Sequence, residues 1–290
     1  LPIFVGAVSL LILVFIPGIG STYNTGTHSW LSVAGFSFQP AELAKLALII
    51  YMSAMLAKLG RDITDLKQGF LLALGLGFIP IILVILQPDI GTVSILFSIL
   101  FAMLFVAGAR WSHILGLAGA GLTGLVLMVV AAPYRAARLM TFLHPELDPQ
   151  GIGYHINQAF LAIGSGGIFG RGLGHSLQKY QYLPEVHSDS IYAVIAEEMG
   201  LIFAIAVVVL LVLIIARAFI VAKNAPDQFG RLLVAGIIIW LATQSFLNIG
   251  AIVGILPLTG VPLPFVSHGG TALMIAMGAV GIVVNVSKQT

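Results

Sequence analysis

The sequence contains no cysteine. That excludes disulfides, thiolate nucleophiles and thiolate metal sites. Charge is nearly as scarce: Asp, Glu, Lys and Arg make up 8% of 290 residues, against roughly 25% in a soluble domain. The net charge of +2 is too small for a nucleic-acid binder. No His-Glu-x-x-His or comparable spacing marks a zinc site, and His28, His144, His155 and His175 are scattered. No nucleotide-binding pattern is present either.

What is abundant is apolar sequence. Hydrophobic residues make up 59%, the mean hydropathy is +1.08, and apolar runs near the length of a bilayer span recur. This predicts an all-α, polytopic helical membrane protein, with eight spans near 2–17, 38–57, 69–86, 90–108, 112–132, 190–220, 230–256 and 267–287. The chain opens at Leu1 without Met, directly in an apolar run, so the expectation is an N-terminally truncated single membrane domain over 1–290. No internal repeat of the transporter kind is visible.

The connections are unequal. If Leu1 starts in the cytoplasm, Lys58, Arg61, Lys67, Arg110, Arg217, Lys223, Arg231 and Lys288 lie at cytoplasmic ends, as the positive-inside rule requires. The segments rich in Gly, Pro, His and Asn then all face outward: 18–40, 87–92, 133–189 and 257–271. The segment 133–189 is too long for a simple connector and forms a large extracytoplasmic loop. Within it, Tyr154 to Gly174 is apolar but short and broken by glycines. It reads as an interfacial or re-entrant piece, tolerated only where protein or water covers its backbone.

Acids gather in "YLPEVHSDSIYAVIAEEMG", from Tyr182 to Gly200. Asp189 precedes a span, so it reads either as a helix N-cap or as a carboxylate held ionised by the helix dipole. An ionised carboxylate can act as general base on a sugar hydroxyl or hold a divalent cation (Mg or Mn). Glu185 and His187 are placed to tune it. Helix geometry places Glu197 about 80° from the face of Asp189 and Glu198 about half a turn away, which makes Glu197 the companion, unless it is buried against a donor of a neighbouring span. Glu42 and Lys45 in "FQPAELAKL" share a helix face, as a neutralising pair or as a charge pair facing the bundle. Asp89 in "LQPDIGT" reads as turn chemistry before a span. Arg135 and Arg138 either anchor at lipid headgroups or clamp a pyrophosphate; Arg171 and Lys179 add to the same basic set. "GVPLPFVSHGG" is an architectural entry to the last span, with His268 a candidate to face the site.

These stretches resemble the SEDS family (shape, elongation, division and sporulation), which includes FtsW and RodA. The resemblance is carried by "FSFQPAELAKL", "QPDIGT", "PYRAARLMTFLHPELDPQGIGYHINQAFLAIGSGGIFGRGLG", "SLQKYQYLPEVHSDSIYAVIAEEMG" and "LPLTGVPLPFVSHGG", in the family's order over nearly the whole chain. "SLQKYQYLPE" is closer to the FtsW pattern than to that of RodA. The family has ten spans, so this chain resembles its last eight. Departures are Ser29 in "THSWL" where a basic residue is common, Ser190 in place of an aromatic, and "SHGG" for the usual "SYGG".

The resemblance implies a peptidoglycan glycosyltransferase that polymerises lipid II at the outer face of the bacterial cytoplasmic membrane. It implies a class B penicillin-binding protein and other division or elongation membrane proteins as partners. Asp189 corresponds to the family's essential aspartate, and Glu42 and Lys45 to its important glutamate and lysine. Arg135, Arg138, Arg171 or Lys45, with or without a divalent cation, would offset the charge of the undecaprenyl pyrophosphate leaving group. The rival reading is a flippase for the lipid-linked precursor, without covalent chemistry; a third is a noncatalytic scaffold.

Overall fold

The computed structural model describes residues 1–17, 20–21, 29–33, 36–131, 133–148, 151–180 and 183–289. His28 and part of the connection 18–37 lie outside the described residues. The elements are α1 (Pro2–Leu13), β1 (Gly20–Ser21), β2 (Trp30–Val33), β3 (Phe36–Phe38), α2 (Pro40–Leu59), α3 (Leu71–Leu86), α4 (Ile90–Val106), α5 (Trp111–Val130), α6 (Pro133–Leu143), α7 (Ile152–Gly166), α8 (Ile191–Asn224), α9 (Gln228–Ile252) and α10 (Gly270–Ser287). The chain has a helical membrane-protein fold. Six helical segments among the described residues are long and apolar enough to cross a bilayer, and two further apolar helices, α1 and α4, are shorter. At 17 residues, α4 extends about 25 Å against a hydrocarbon core of about 30 Å.

Local chemistry sets the helix ends. α2 opens with Pro40, Glu42 lies in its first turn and Lys58 in its last. Pro costs nothing where the N–H has no partner, and both charges complement the helix dipole. Asp89 caps α4, accepting from the Thr92 N–H at 3.0 Å and the Thr92 hydroxyl at 2.7 Å; its structural reading holds. The connection before α2, read only as rich in Gly, Pro, His and Asn, carries a small antiparallel sheet, with Gly20 opposite Leu31 and Leu31 opposite Phe38. Its strands are two to four residues long, too short for period-2 alternation to show.

The chain forms two compact units, with the divisions falling inside α5, α8 and α9. The first comprises Leu1–Gly121, Ile215–Thr243 and Gly270–Thr290. Its core is built from Leu11, Leu48, Met52, Leu96 and Ile99, all fully buried. Close helix approach rests on small residues: a Cβ on Gly236 would lie 2.7 Å from the Ile49 side chain.

The second comprises Leu122–Ile214 and Gln244–Gly269. Its core joins Ala159 and Ala162 of α7 to Tyr192, Ala193 and Ala196 of α8, with Leu183, Ile252 and Leu263. The expected continuous span 190–220 is interrupted: Gly200 sits at φ 80°, ψ 178° inside α8. A break strands backbone groups that must pair within the protein. The segment after α7 supplies them. The N–H groups of Arg171 and Gly172 donate to the carbonyls of Glu197 and Glu198 at 3.0 and 2.9 Å, while those of Leu201 and Ile202 donate to the carbonyls of Gly167 and Ile168 at 2.9 and 3.4 Å. The piece expected to be re-entrant is thus a helix ending at Gly166, followed by a glycine-rich strip that completes the broken helix. Only glycines allow the approach, since a Cβ on Gly170 would lie 2.3 Å from the Glu198 carbonyl oxygen.

Candidate active site

Asp189 stands two residues before α8 and is 9% exposed. Residues 185–190 form a tight turn: the N–H groups of Ser188 and Ser190 both donate to the Glu185 carbonyl, at 3.1 and 3.3 Å. Glu185 holds φ 48° to make it, and the Ser188 hydroxyl donates to the Glu185 carboxylate at 2.9 Å. Ser190, not Asp189, precedes Ile191, and its carbonyl receives the Ala193 N–H at 3.0 Å. The Ser190 hydroxyl donates to the Pro184 carbonyl at 2.9 Å. It lies 2.7 Å from His155 Nε2 and 3.5 Å from Asp189 Oδ1.

Burial, and then the nearby Glu185 charge, pushes the Asp189 carboxyl up to about 6. The sequence reading expected the helix dipole to favour the ionised form. Burial outweighs it, because removing the carboxylate from water penalises the charge directly. The Glu185 charge adds to the burial effect in the same direction. The His187 side chain is exposed, and its contribution is a main-chain one: its carbonyl accepts the His268 N–H at 2.7 Å. The His268 side chain is exposed as well.

α9 fixes the same turn from the other side. Asn248 is 2% exposed, and its Nδ2 donates at 2.8 Å to the main-chain carbonyl of Asp189 and at 2.8 Å to that of Val261. One turn earlier, Gln244 Nε2 donates to the Pro262 carbonyl at 2.9 Å. Two amides on one face of α9 thus hold the segment before α10 against the Asp189 turn. Asp189, Asn248, Ala251, Ile252, Leu258, Thr259, Gly260 and Val261 line a narrow, closed recess.

Glu197 is not the companion of Asp189. It is fully buried and accepts from the Ser176 hydroxyl at 2.5 Å, the Leu177 N–H at 3.0 Å, the Gln178 N–H at 3.4 Å and Arg171 Nη1 at 3.3 Å. It is buried as the alternative expected, but its donors lie on the loop 171–178 rather than on a neighbouring span. Lys179 pairs with Glu198 at 2.6 Å, a bond that raises the lysine pKa. Arg171 and Lys179 are therefore engaged by the two acids rather than left to clamp a phosphate. Arg135 donates to the Met128 carbonyl at 3.0 Å, and the Arg138 charge acts on His155, whose pKa is lowered chiefly by burial. In the first unit, Glu42 and Lys45 form a buried pair at 2.8 Å, with Lys45 Nζ 5.1 Å from the Trp240 ring centre. No group of three or more His, Asp or Glu side chains converges as a metal site among the described residues. The single carboxylate of the recess is a poor match for the oxygen-rich shell of Mg or Ca.

Sequence reasoning missed Asn248, Thr259 and Gly260, and treated His155 as scattered. A signal was present: Gln244 and Asn248 are polar, four apart and inside an apolar span, where side-chain hydrogen bonding is expected.

A family model described as "Cell cycle protein", covering FtsW, RodA and SpoVE, matches residues 1–290. The chain belongs to this family. It is similar to the stage V sporulation protein E of Bacillus subtilis strain 168, with 42% identity over 97% of this chain and 76% of that protein. It is equally similar to the probable peptidoglycan glycosyltransferase FtsW of Geobacter sp. strain M18, with 42% identity over 99% of this chain and 78% of the relative. Among solved structures, a chain from work on the structural coordination of polymerization and crosslinking by a peptidoglycan synthase complex superposes with a TM-score of 0.79 at 30% identity, covering 99% of this chain and 80% of that one. The rod shape determining protein RodA of Thermus thermophilus superposes with a TM-score of 0.72 at 29% identity, covering 99% and 77%.

Proposed function

We propose that this chain is a peptidoglycan glycosyltransferase that polymerises lipid II, with Asp189 as its general base. The observation that carries the reading is a buried carboxylate with a pKa of about 6, at the mouth of a broken apolar helix, in a chain of this family. A group near that pKa is ionised at neutral pH and still basic enough to take a proton as a bond forms. The acceptor's 4-hydroxyl gives its proton to Asp189, the oxygen attacks the anomeric carbon of the lipid-linked donor, and undecaprenyl pyrophosphate departs with the bonding electron pair.

The rest of the turn holds this base in place. Asn248 fixes its backbone, Ser190 borders its Oδ1 with His155 on the Ser190 hydroxyl, and burial and then Glu185 set its proton affinity. We assign the leaving-group charge to Arg135 and Arg138, which lie in the same unit as Asp189. The positive-inside distribution supports a site on the outer face of the cytoplasmic membrane. By analogy with the synthase complex, the crosslinking partner is a class B penicillin-binding protein. Purified protein with this partner should convert lipid II to glycan strands without ATP or an ion gradient, and Asp189→Asn should not. Translocation of fluorescent lipid II across liposomes, persisting in Asp189→Asn, would favour the flippase instead.

A further inference from the structure

We infer that Asn248 and Thr259 form a sugar-reading subsite beside Asp189, in which their free oxygens engage hydroxyl or amide N–H groups of the lipid-linked amino sugar. The inference rests on the glycosyltransferase reading and extends it to a specific contact. Asn248 Oδ1 and Thr259 Oγ1 are buried and have no hydrogen-bond partner among the described residues, and both residues line the recess that contains Asp189. The Asn248 amide orientation is fixed, because Nδ2 faces two carbonyl oxygens at 2.8 Å and a flipped amide would set oxygen against oxygen. Its Oδ1 is therefore a committed acceptor that requires a donor. Buried polar atoms left unpaired are costly and uncommon in native structures, so two of them on one recess wall point to a ligand.

The lining selects the class of ligand. A carboxylate and an amide oxygen repel phosphate and attract O–H and N–H donors. Ala251, Ile252, Leu258 and Val261 complete the wall and suit the C–H edge of a pyranose. The recess has no room for a water-sized group as it stands, so donors of the sugar reach the two oxygens only as its wall yields. Gly260 borders the base: a Cβ there would lie in ordinary contact, 4.0 Å from Asp189 Oδ2, and its φ of +69° disfavours any side chain. The reactive hydroxyl thus meets Asp189 while neighbouring donors of the same sugar meet Asn248 and Thr259.

Thr259→Val removes the hydroxyl at nearly constant volume, and Thr259→Ser retains it. Binding of lipid II and of undecaprenyl pyrophosphate, which carries no sugar, is measured on the detergent-solubilised protein with its partner, alongside polymerisation kinetics. Thr259→Val should weaken lipid II binding about five- to tenfold, the value of one hydrogen bond, and raise KM. Thr259→Ser should behave as wild type, and undecaprenyl pyrophosphate should bind all three alike. Unchanged lipid II binding in Thr259→Val, or equal weakening toward both ligands, overturns the subsite. A defect reversed by added manganese assigns the oxygens to a cation instead and also overturns it. If wild-type protein binds lipid II without polymerising it, the glycosyltransferase reading fails, and the binding comparison still decides the subsite. Failure of wild type to bind lipid II overturns both.

Discussion

The hydroxyl of Ser176 donates to the carboxylate of Glu197 at 2.5 Å, so a loop serine is tied to an acid inside an apolar helix. The same carboxylate accepts two loop N–H groups, from Leu177 and Gln178. An acid in a bilayer span is tolerated when its acceptor sites are filled. Here the filled acid fastens residues 171–179 to the break in α8.

Glu197→Gln places an NH₂ group against the N–H groups of Leu177 and Arg171 or against that of Gln178, none of which can accept from it. Leaving buried groups unpaired costs about 1–3 kcal/mol each, so the variant should unfold at lower temperature and the loop should open. Hydrogen exchange should rise at Leu177 and Gln178, where the lost bonds lie, more than in α2. Unchanged exchange there would show that Glu197 is not the fastening.

Gly200→Ala tests the break itself. The added Cβ would lie 2.3 Å from the Gly170 nitrogen and 2.4 Å from the Ile168 carbonyl oxygen, and φ 80° with ψ 178° is a conformation left almost entirely to glycine. The strip 166–172 cannot stay docked, so at least four backbone groups lose partners. A loss of about 3 kcal/mol or more is expected, visible as a large fall in Tm in detergent. A variant with wild-type Tm would mean that α8 runs straight.

Much of this was legible from the chain alone. Apolar run length places the membrane helices, and the Pro40, Glu42 and Lys58 pattern marks the ends of α2, because those signals depend on near neighbours in sequence. The position of Asp189 before a span was legible for the same reason. What was hidden depends on pairing across distance. The angle from Asp189 to Glu197 fails because Asp189 lies in the turn before α8 rather than on the helix, and the donors of Glu197 lie on a loop some twenty residues earlier. The fixed amide of Asn248 depends on two carbonyls, one of them 59 residues away.

Asp189 gives opposite signs for activity and stability. Its folded pKa is raised from 3.8 to about 6, so the native state binds the proton more tightly than the unfolded chain. Stability from this group is present below about pH 4, falls as pH rises between about 4 and 6, and is lower by roughly 3 kcal/mol above that, at about 1.4 kcal/mol per unit. Activity should rise over the same upper limb, as the base ionises near pH 6. Asp189→Asn should therefore abolish polymerisation yet unfold at higher temperature than wild type at pH 7.5. A Tm below wild type at that pH would refute the burial argument.

The Glu42–Lys45 pair calls for a double-mutant cycle. Both side chains are almost fully buried, at 3% and 0% exposure, and 2.8 Å apart, so Lys45→Met leaves the buried Glu42 carboxylate without its cation, at a cost of about 3–5 kcal/mol. Lys45→Met and Glu42→Gln should each lower Tm strongly. The double variant should recover most of the loss, because no charge remains buried and Met still packs beside Trp240. Polymerisation then separates the two readings of the pair. Recovery of activity with stability would make it a neutralising pair that carries a membrane helix. Full stability without activity would make it part of the reaction, and that is the outcome expected from the family resemblance of these two positions.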